Sequence, residues 1–163
     1  MTLEYVPEQS KEQLARRAGD VRSFHKMAAM AENNFAKEDT VLFLEYPMDS
    51  APATWEKATE TVDSFLSGLA AMLTVRGREL RYLYCTREHG DKPGFLHKIM
   101  LNLSGDSDLA IVRTSWPGIV SNVQRVGSRS IGSWMWYLYQ GTDARPAGKR
   151  RWQYSKNLAK KNH

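Results

Sequence analysis

Residues 80 to 103 read LRYLYCTREHGDKPGFLHKIMLNL, and how this stretch is read decides the fold. Leu80 to Thr86 and Phe95 to Leu103 are strand-like runs of apolar and aromatic residues, while REHGDKPG between them carries the Gly and Pro of a connecting loop. The two runs are expected to be neighbouring antiparallel strands. Upstream, Ser50 and Pro52 open a segment in which Trp55, Val62, Phe65, Leu66, Leu69, Met72 and Leu73 form one apolar stripe, closed by Gly77; this predicts a helix from Pro52 to Arg76. Before it, Thr40 to Tyr46 (TVLFLEY) ends at Pro47 and reads as a strand. Earlier still, Val21, Phe24, Ala28, Ala31 and Phe35 recur at helical spacing, with Asp20 placed to cap the helix.

Downstream, the pattern predicts a helix over Ser107 to Ser115 and a strand over Ile119 to Val126. A last helix over Ser128 to Gln140 would be capped by Ser128 and carry Ile131, Trp134, Met135 and Leu138. The order is helix, strand, helix, strand, strand, helix, strand, helix and tail. It points to an α+β fold: a four-stranded antiparallel sheet with helices on one face, of the ferredoxin-like kind, with the Pro52 to Arg76 and Ser128 to Gln140 helices on that face. One domain is expected, made of an N-terminal helical arm (1–35), a core (36–142) and a basic C-terminal tail (143–163).

The 163 residues, 42% apolar and 25% charged, suit one globular domain with its own core. No apolar run is long enough to cross a bilayer, and MTLEYVPEQSKEQ lacks the pattern of a signal peptide, so a cytoplasmic protein without a membrane partner is expected. The lone Cys85 cannot make an internal disulfide or anchor a multi-cysteine zinc site. Net charge is +5 and the pI about 9.4, which favours a polyanionic partner. The charge is concentrated in GKRRWQYSKNLAKKNH, residues 148 to 163, with six Lys or Arg and no acid. Trp152 and Tyr154 lie among these cations, a combination that suits stacking on bases; the other reading of the segment is a solvated tail with Trp152 docked into its own domain.

At the central hairpin, YLYCTREHGDKPGFLHKIMLN resembles the strand, loop and strand that carry the HUH motif in the rolling-circle replication nucleases of phages and plasmids. VLFLEY after NNF is similar to that family's first motif, and WYLYQG followed by GKRRWQYSKNL to its tyrosine helix and basic block. The resemblance covers most of the chain from about Phe24 onward. It implies an HUH endonuclease-like fold, in which a tyrosine attacks a DNA phosphodiester while a divalent metal on two histidines polarises the phosphate. Matched to the family, Leu96, His97 and Lys98 take the histidine, variable and histidine places, so both ligand positions lack an imidazole, and Tyr137 takes the place of the nucleophile. On a regular strand His97 faces away from Leu96 and Lys98, as a partly buried, hydrogen-bonded histidine. A register slip would instead make it a single ligand, with Glu45 or Glu88 beside it.

The resemblance therefore implies a nucleic-acid-binding derivative of a replication nuclease, without cutting activity and with no cofactor. Its contacts are expected from Lys98 with Tyr82 or Tyr84 on the sheet, and from Lys149, Arg150, Arg151, Trp152, Tyr154, Lys156, Lys160 and Lys161 in the tail. The expected partner is nucleic acid, DNA first. By analogy alone, a mobile element could use such a protein as a regulator or inhibitor of a host nucleoprotein complex such as a CRISPR effector. The alternative is an active nickase that uses Mg²⁺ or Mn²⁺ with Tyr137, His97 and Glu88.

Overall fold

The computed structural model describes residues 11–142, 145, 146 and 148–158. Among them, five strands form one antiparallel sheet: β1 (Thr40–Glu45), β2 (Tyr82–Glu88), β3 (Phe95–Leu101), β4 (Ile119–Arg125) and β5 (Gln153–Tyr154), in the order β4-β1-β3-β2-β5. The helices are α1 (Lys11–Asn34), α2 (Trp55–Val75), α3 (Gly105–Ser115) and α4 (Ile131–Tyr139). The α+β class and the central hairpin are as expected, with Tyr82 to Glu88 pairing residue for residue with Leu101 to Phe95. No described helix is long and apolar enough to cross a membrane.

Two corrections concern the layers. The helices do not share one face. α2 packs Val62, Phe65, Leu66, Leu69 and Leu73 against Leu42, Leu44, Tyr84, Ile99 and Leu101, joined by Val112 of α3. On the other face α1 and α4 bury Met27, Met30, Ala31, Trp134, Met135 and Leu138 against Val41, Phe43, Leu83, Cys85 and Met100. The reason is legible in the strands: Val41, Leu42, Phe43 and Leu44 are all buried, and a strand covered on both faces is a continuous apolar run rather than an alternating one. α1 is thus half of a layer, not an arm, and because it begins at Lys11, Asp20 lies inside it rather than at its cap.

The second correction is the fifth strand. Gln153 and Tyr154 extend the sheet beyond Tyr84 and Leu83, while Ser155 exchanges bonds with the backbone of Tyr82, through its amide at 3.0 Å and its Oγ at 3.1 Å. Trp152 and Leu158 are buried beside this strand, so the segment from 148 to 158 is docked rather than a solvated tail. Two residues carry no period, which is why the pattern did not reveal a strand there.

Local chemistry sets the element ends. Thr54, two residues past Pro52, caps α2 by accepting from the Lys57 amide at 3.2 Å, and Gly77, at φ +72°, ends that helix. Ser130 rather than Ser128 caps α4, because Val126–Ser128 form a 3-10 turn first. At the start of α3, Asp108 accepts the Ser104 amide and the two-pronged guanidinium of Arg78 at 2.8 and 2.9 Å.

Candidate functional site

Alternation along β3 sends successive side chains to opposite faces, and the pairing fixes their company. Lys98 lies between Phe43 and Cys85, and His97 between Leu44 and Thr86. His97 has no exposed surface; Thr86 Oγ1 lies 2.7 Å from Nδ1 and Tyr46 Oη 2.6 Å from Nε2. The Tyr46 hydroxyl donates to the Ala58 carbonyl at 3.1 Å, which assigns the imidazole hydrogen to Nε2 and makes Nδ1 the acceptor from Thr86. Burial pushes the His97 pKa down to about 3, so this is a neutral core histidine with both nitrogens committed.

Neither Glu45 nor Glu88 reaches His97. Glu45 accepts from Ser121 Oγ at 2.5 Å and from His89 Nε2 at 2.7 Å, with Lys92 Nζ at 3.6 Å. Burial raises its pKa, but the Ser121 and His89 hydrogen bonds and the charges of His89 and Lys92 outweigh this and hold the carboxyl below its ordinary value. A bulge in the pairing of β1 with β4, where Asn122 adopts φ +53°, aims Ser121 at this carboxylate. Glu88 is exposed at the end of β2. Among the described residues no three His, Cys, Asp or Glu side chains come together to hold a metal ion, Leu96 has no ligating atom, and the Lys98 amine is committed to the Tyr137 carbonyl. The residues present do not fit the two-histidine metal centre, and the register-slipped ligand set falls with it.

On the opposite face Lys98 is 4% exposed. Its Nζ donates to the Tyr137 carbonyl at 2.8 Å and lies 4.5 Å from the Tyr137 ring and 5.3 Å from the Phe43 ring. That carbonyl belongs to the last turn of α4, where a cation is favoured by the helix dipole. Burial first, and the nearby Arg87 charge second, bring the Lys98 pKa down to about 8. The Tyr137 ring stacks on Phe43 at 5.7 Å and has Arg129 over it at 5.5 Å. Arg87, paired with Leu96, reaches the same end of α4: Gly141, at φ +78°, comes so near its guanidinium that an added Cβ would sit 2.5 Å from Cζ.

The expected grouping of Lys98 with Tyr82 or Tyr84 is corrected by the same alternation. Both tyrosines are on the α2 face; Tyr84 is buried and donates to Asp63 at 2.6 Å, and Tyr82 is half-buried. Lys98 itself is turned toward α4, and its ammonium does not face solvent as a phosphate contact would.

The C-terminal segment divides in the same way. Trp152, at 5% exposure, is no stacking surface: its indole donates to Ser23 Oγ at 2.8 Å. Arg151 donates to Asp20 Oδ2 at 2.6 Å and lies 5.1 Å over the Tyr139 ring. Lys149, Arg150 and Lys156 are exposed; Lys160 and Lys161 lie outside the described residues. Arg150 and Arg151 line a groove of about 530 Å³ against α1, with Arg22, Lys26 and Arg145 completing its charge, Trp152 and Tyr154 lining it, and Asp20 its one acid. Sequence reading missed Arg22 and Lys26, although their spacing of four puts them on one helical face. Arg145 had no such signal.

Comparison of the chain with family models, curated proteins and solved structures finds no match.

Proposed function

We propose that this chain is a nucleic-acid-binding protein derived from a rolling-circle replication nuclease, in which a lysine has replaced metal-centre chemistry with packing. One observation carries the reading. Lys98 stands where the resemblance puts the second metal-ligating histidine and Tyr137 where it puts the nucleophile, and these positions, 39 residues apart, meet through a 2.8 Å hydrogen bond. The succession β1, α2, β2, β3, α3, β4 and the order β4-β1-β3-β2 support a ferredoxin-like core of the HUH endonuclease-like kind, with α1, α4 and β5 added to it.

Attack by a phenol on a phosphodiester needs a cation at the phosphate oxygens to offset the developing charge. Here the nearest ammonium is spent on a helix carbonyl and two aromatic rings, and the Tyr137 ring is clamped between Phe43 and Arg129. The arrangement holds α4 to the sheet. Exposed positive charge along α1 and the C-terminal segment is available to a polyanion.

The test is to incubate the purified protein with supercoiled and hairpin DNA in Mg²⁺ or Mn²⁺, and to measure binding of labelled DNA in parallel. Salt-sensitive binding without nicked product is expected. A nicked product carrying covalently attached protein, lost in Tyr137→Phe, would restore the nickase reading, and failure to bind any DNA or RNA would sink the proposal.

A further inference from the structure

We infer that the groove between α1 and the C-terminal segment is a two-walled clamp for a short run of phosphates on one nucleic-acid strand, with α1 supplying half of its grip. The inference rests on the nucleic-acid-binding reading and names where that ligand sits. Five cations, Arg22, Lys26, Arg145, Arg150 and Arg151, line the groove against one carboxylate, Asp20. That carboxylate is already paired with Arg151 at 2.6 Å, so the charges of the other four are left to be met from outside the groove.

Four of the five cations are arginines, whose planar forks match phosphate oxygens two at a time and keep their charge at any working pH. The walls come from opposite ends of the chain, pinned together by the Trp152 to Ser23 bond at 2.8 Å as well as by the Arg151 to Asp20 pair. The half-buried Tyr154 ring, 5.0 Å from that of Trp152, adds an aromatic surface of the kind a base stacks on. A volume of about 530 Å³ is that of a small-ligand site, with room for roughly one or two nucleotides but not for the width of a duplex. Free nucleoside polyphosphates share this chemistry, so the experiment separates the two sources. A ligand that bridges walls existing only in the folded chain also stabilises it by mass action.

Anisotropy of a short labelled oligothymidylate is measured across a salt series for the parent, for Arg22→Ala with Lys26→Ala, and for Arg145→Ala with Arg150→Ala. None of these four side chains is buried, and circular dichroism verifies that the variants fold. Each double variant should lose about tenfold in affinity and flatten the slope of log affinity against log salt by roughly 1.4, at about 0.7 per phosphate contact on a single strand. The oligonucleotide should raise the Tm of the parent more than that of either variant. Parental slope and affinity in the α1-wall variant would overturn the clamp while leaving the nucleic-acid-binding reading in place. ATP that competes at concentrations equal to the oligonucleotide would overturn the strand assignment in favour of a free nucleotide. A parent that binds no nucleic acid at all overturns both.

Discussion

His97 and Lys98 are successive residues on one strand, both basic and both buried, yet they belong to different halves of the molecule. His97 faces α2 and α3, where Tyr46, Tyr84 and Trp116 surround it edge-on and two hydroxyls satisfy its nitrogens. Lys98 faces α4, where it meets a carbonyl, two ring faces and the neighbouring charge of Arg87. The first face takes its basic residue as a neutral hydrogen-bonding group. The second takes its own as a cation and gathers Arg129 and Arg151 over aromatic rings nearby. The α1 and α4 face thus keeps its cations against ring faces, and the basic groove lies on its rim.

The hardest test of this contrast asks whether both faces belong to one cooperative core. Trp134→Ala, which removes a buried indole donating to the Val126 carbonyl at 2.7 Å, should cost about 3–5 kcal/mol, and Leu69→Ala on the α2 face about 2–5 kcal/mol. Urea unfolding that leaves the Trp134 variant near parental stability would make the α1 and α4 layer a detachable cover.

Acid should expose the neutral histidine. With the His97 pKa down at about 3 against an ordinary 6.5, the unfolded chain takes up a proton that the folded one refuses. Stability therefore falls as pH drops below about 6.5, by up to about 1.4 kcal/mol per pH unit. Glu45 and Asp108, held below their ordinary values, lose their contributions only at lower pH, and Asp39, raised by burial, opposes the decline, so His97 is read from the difference between parent and variant over the interval from about 6.5 to 5. A His97→Gln variant should show a shallower decline there; a parental decline would place the titrating group elsewhere.

Alkali should act on the other face with the opposite consequence. Between about 8 and 10.5 the folded protein has shed the Lys98 proton while the unfolded chain keeps it, so this residue adds stability as pH rises. Burial pushes Cys85 and Tyr84 up, and they oppose the trend above about pH 9. The readout is therefore the difference from Lys98→Met, which should lack the gain, so that its stability relative to the parent is lower at pH 9 than at pH 7. A constant difference across that range would mean that Lys98 stays charged throughout.

The smallest effect is expected at Trp136, 60% exposed on the outer side of α4 with its ring 6.4 Å from Phe24. Trp136→Ala should change stability by no more than about 0.5 kcal/mol. A larger loss in thermal unfolding would show that the α1 and α4 layer depends on its outer aromatic contacts as well as its buried ones.

The sequence by itself determined the four helices and four of the five described strands, the central hairpin and the absence of imidazoles at residues 96 and 98, because these depend on local period, turn residues and residue identity. It also held a signal for covered faces in the unbroken apolar run Val41 to Leu44 of β1. Which face each helix took was decided only in the tertiary structure. A helix stripe records that it is buried, not against which side of a sheet, and only the register of β2 on β3 sets Tyr82 and Tyr84 on the face opposite Lys98. The groove is the clearest case. Arg22 and Lys26 sit more than a hundred residues before Arg145 and Arg150, and they become one site only because Trp152 docks on Ser23 and Arg151 on Asp20, contacts between chain ends that no local pattern encodes.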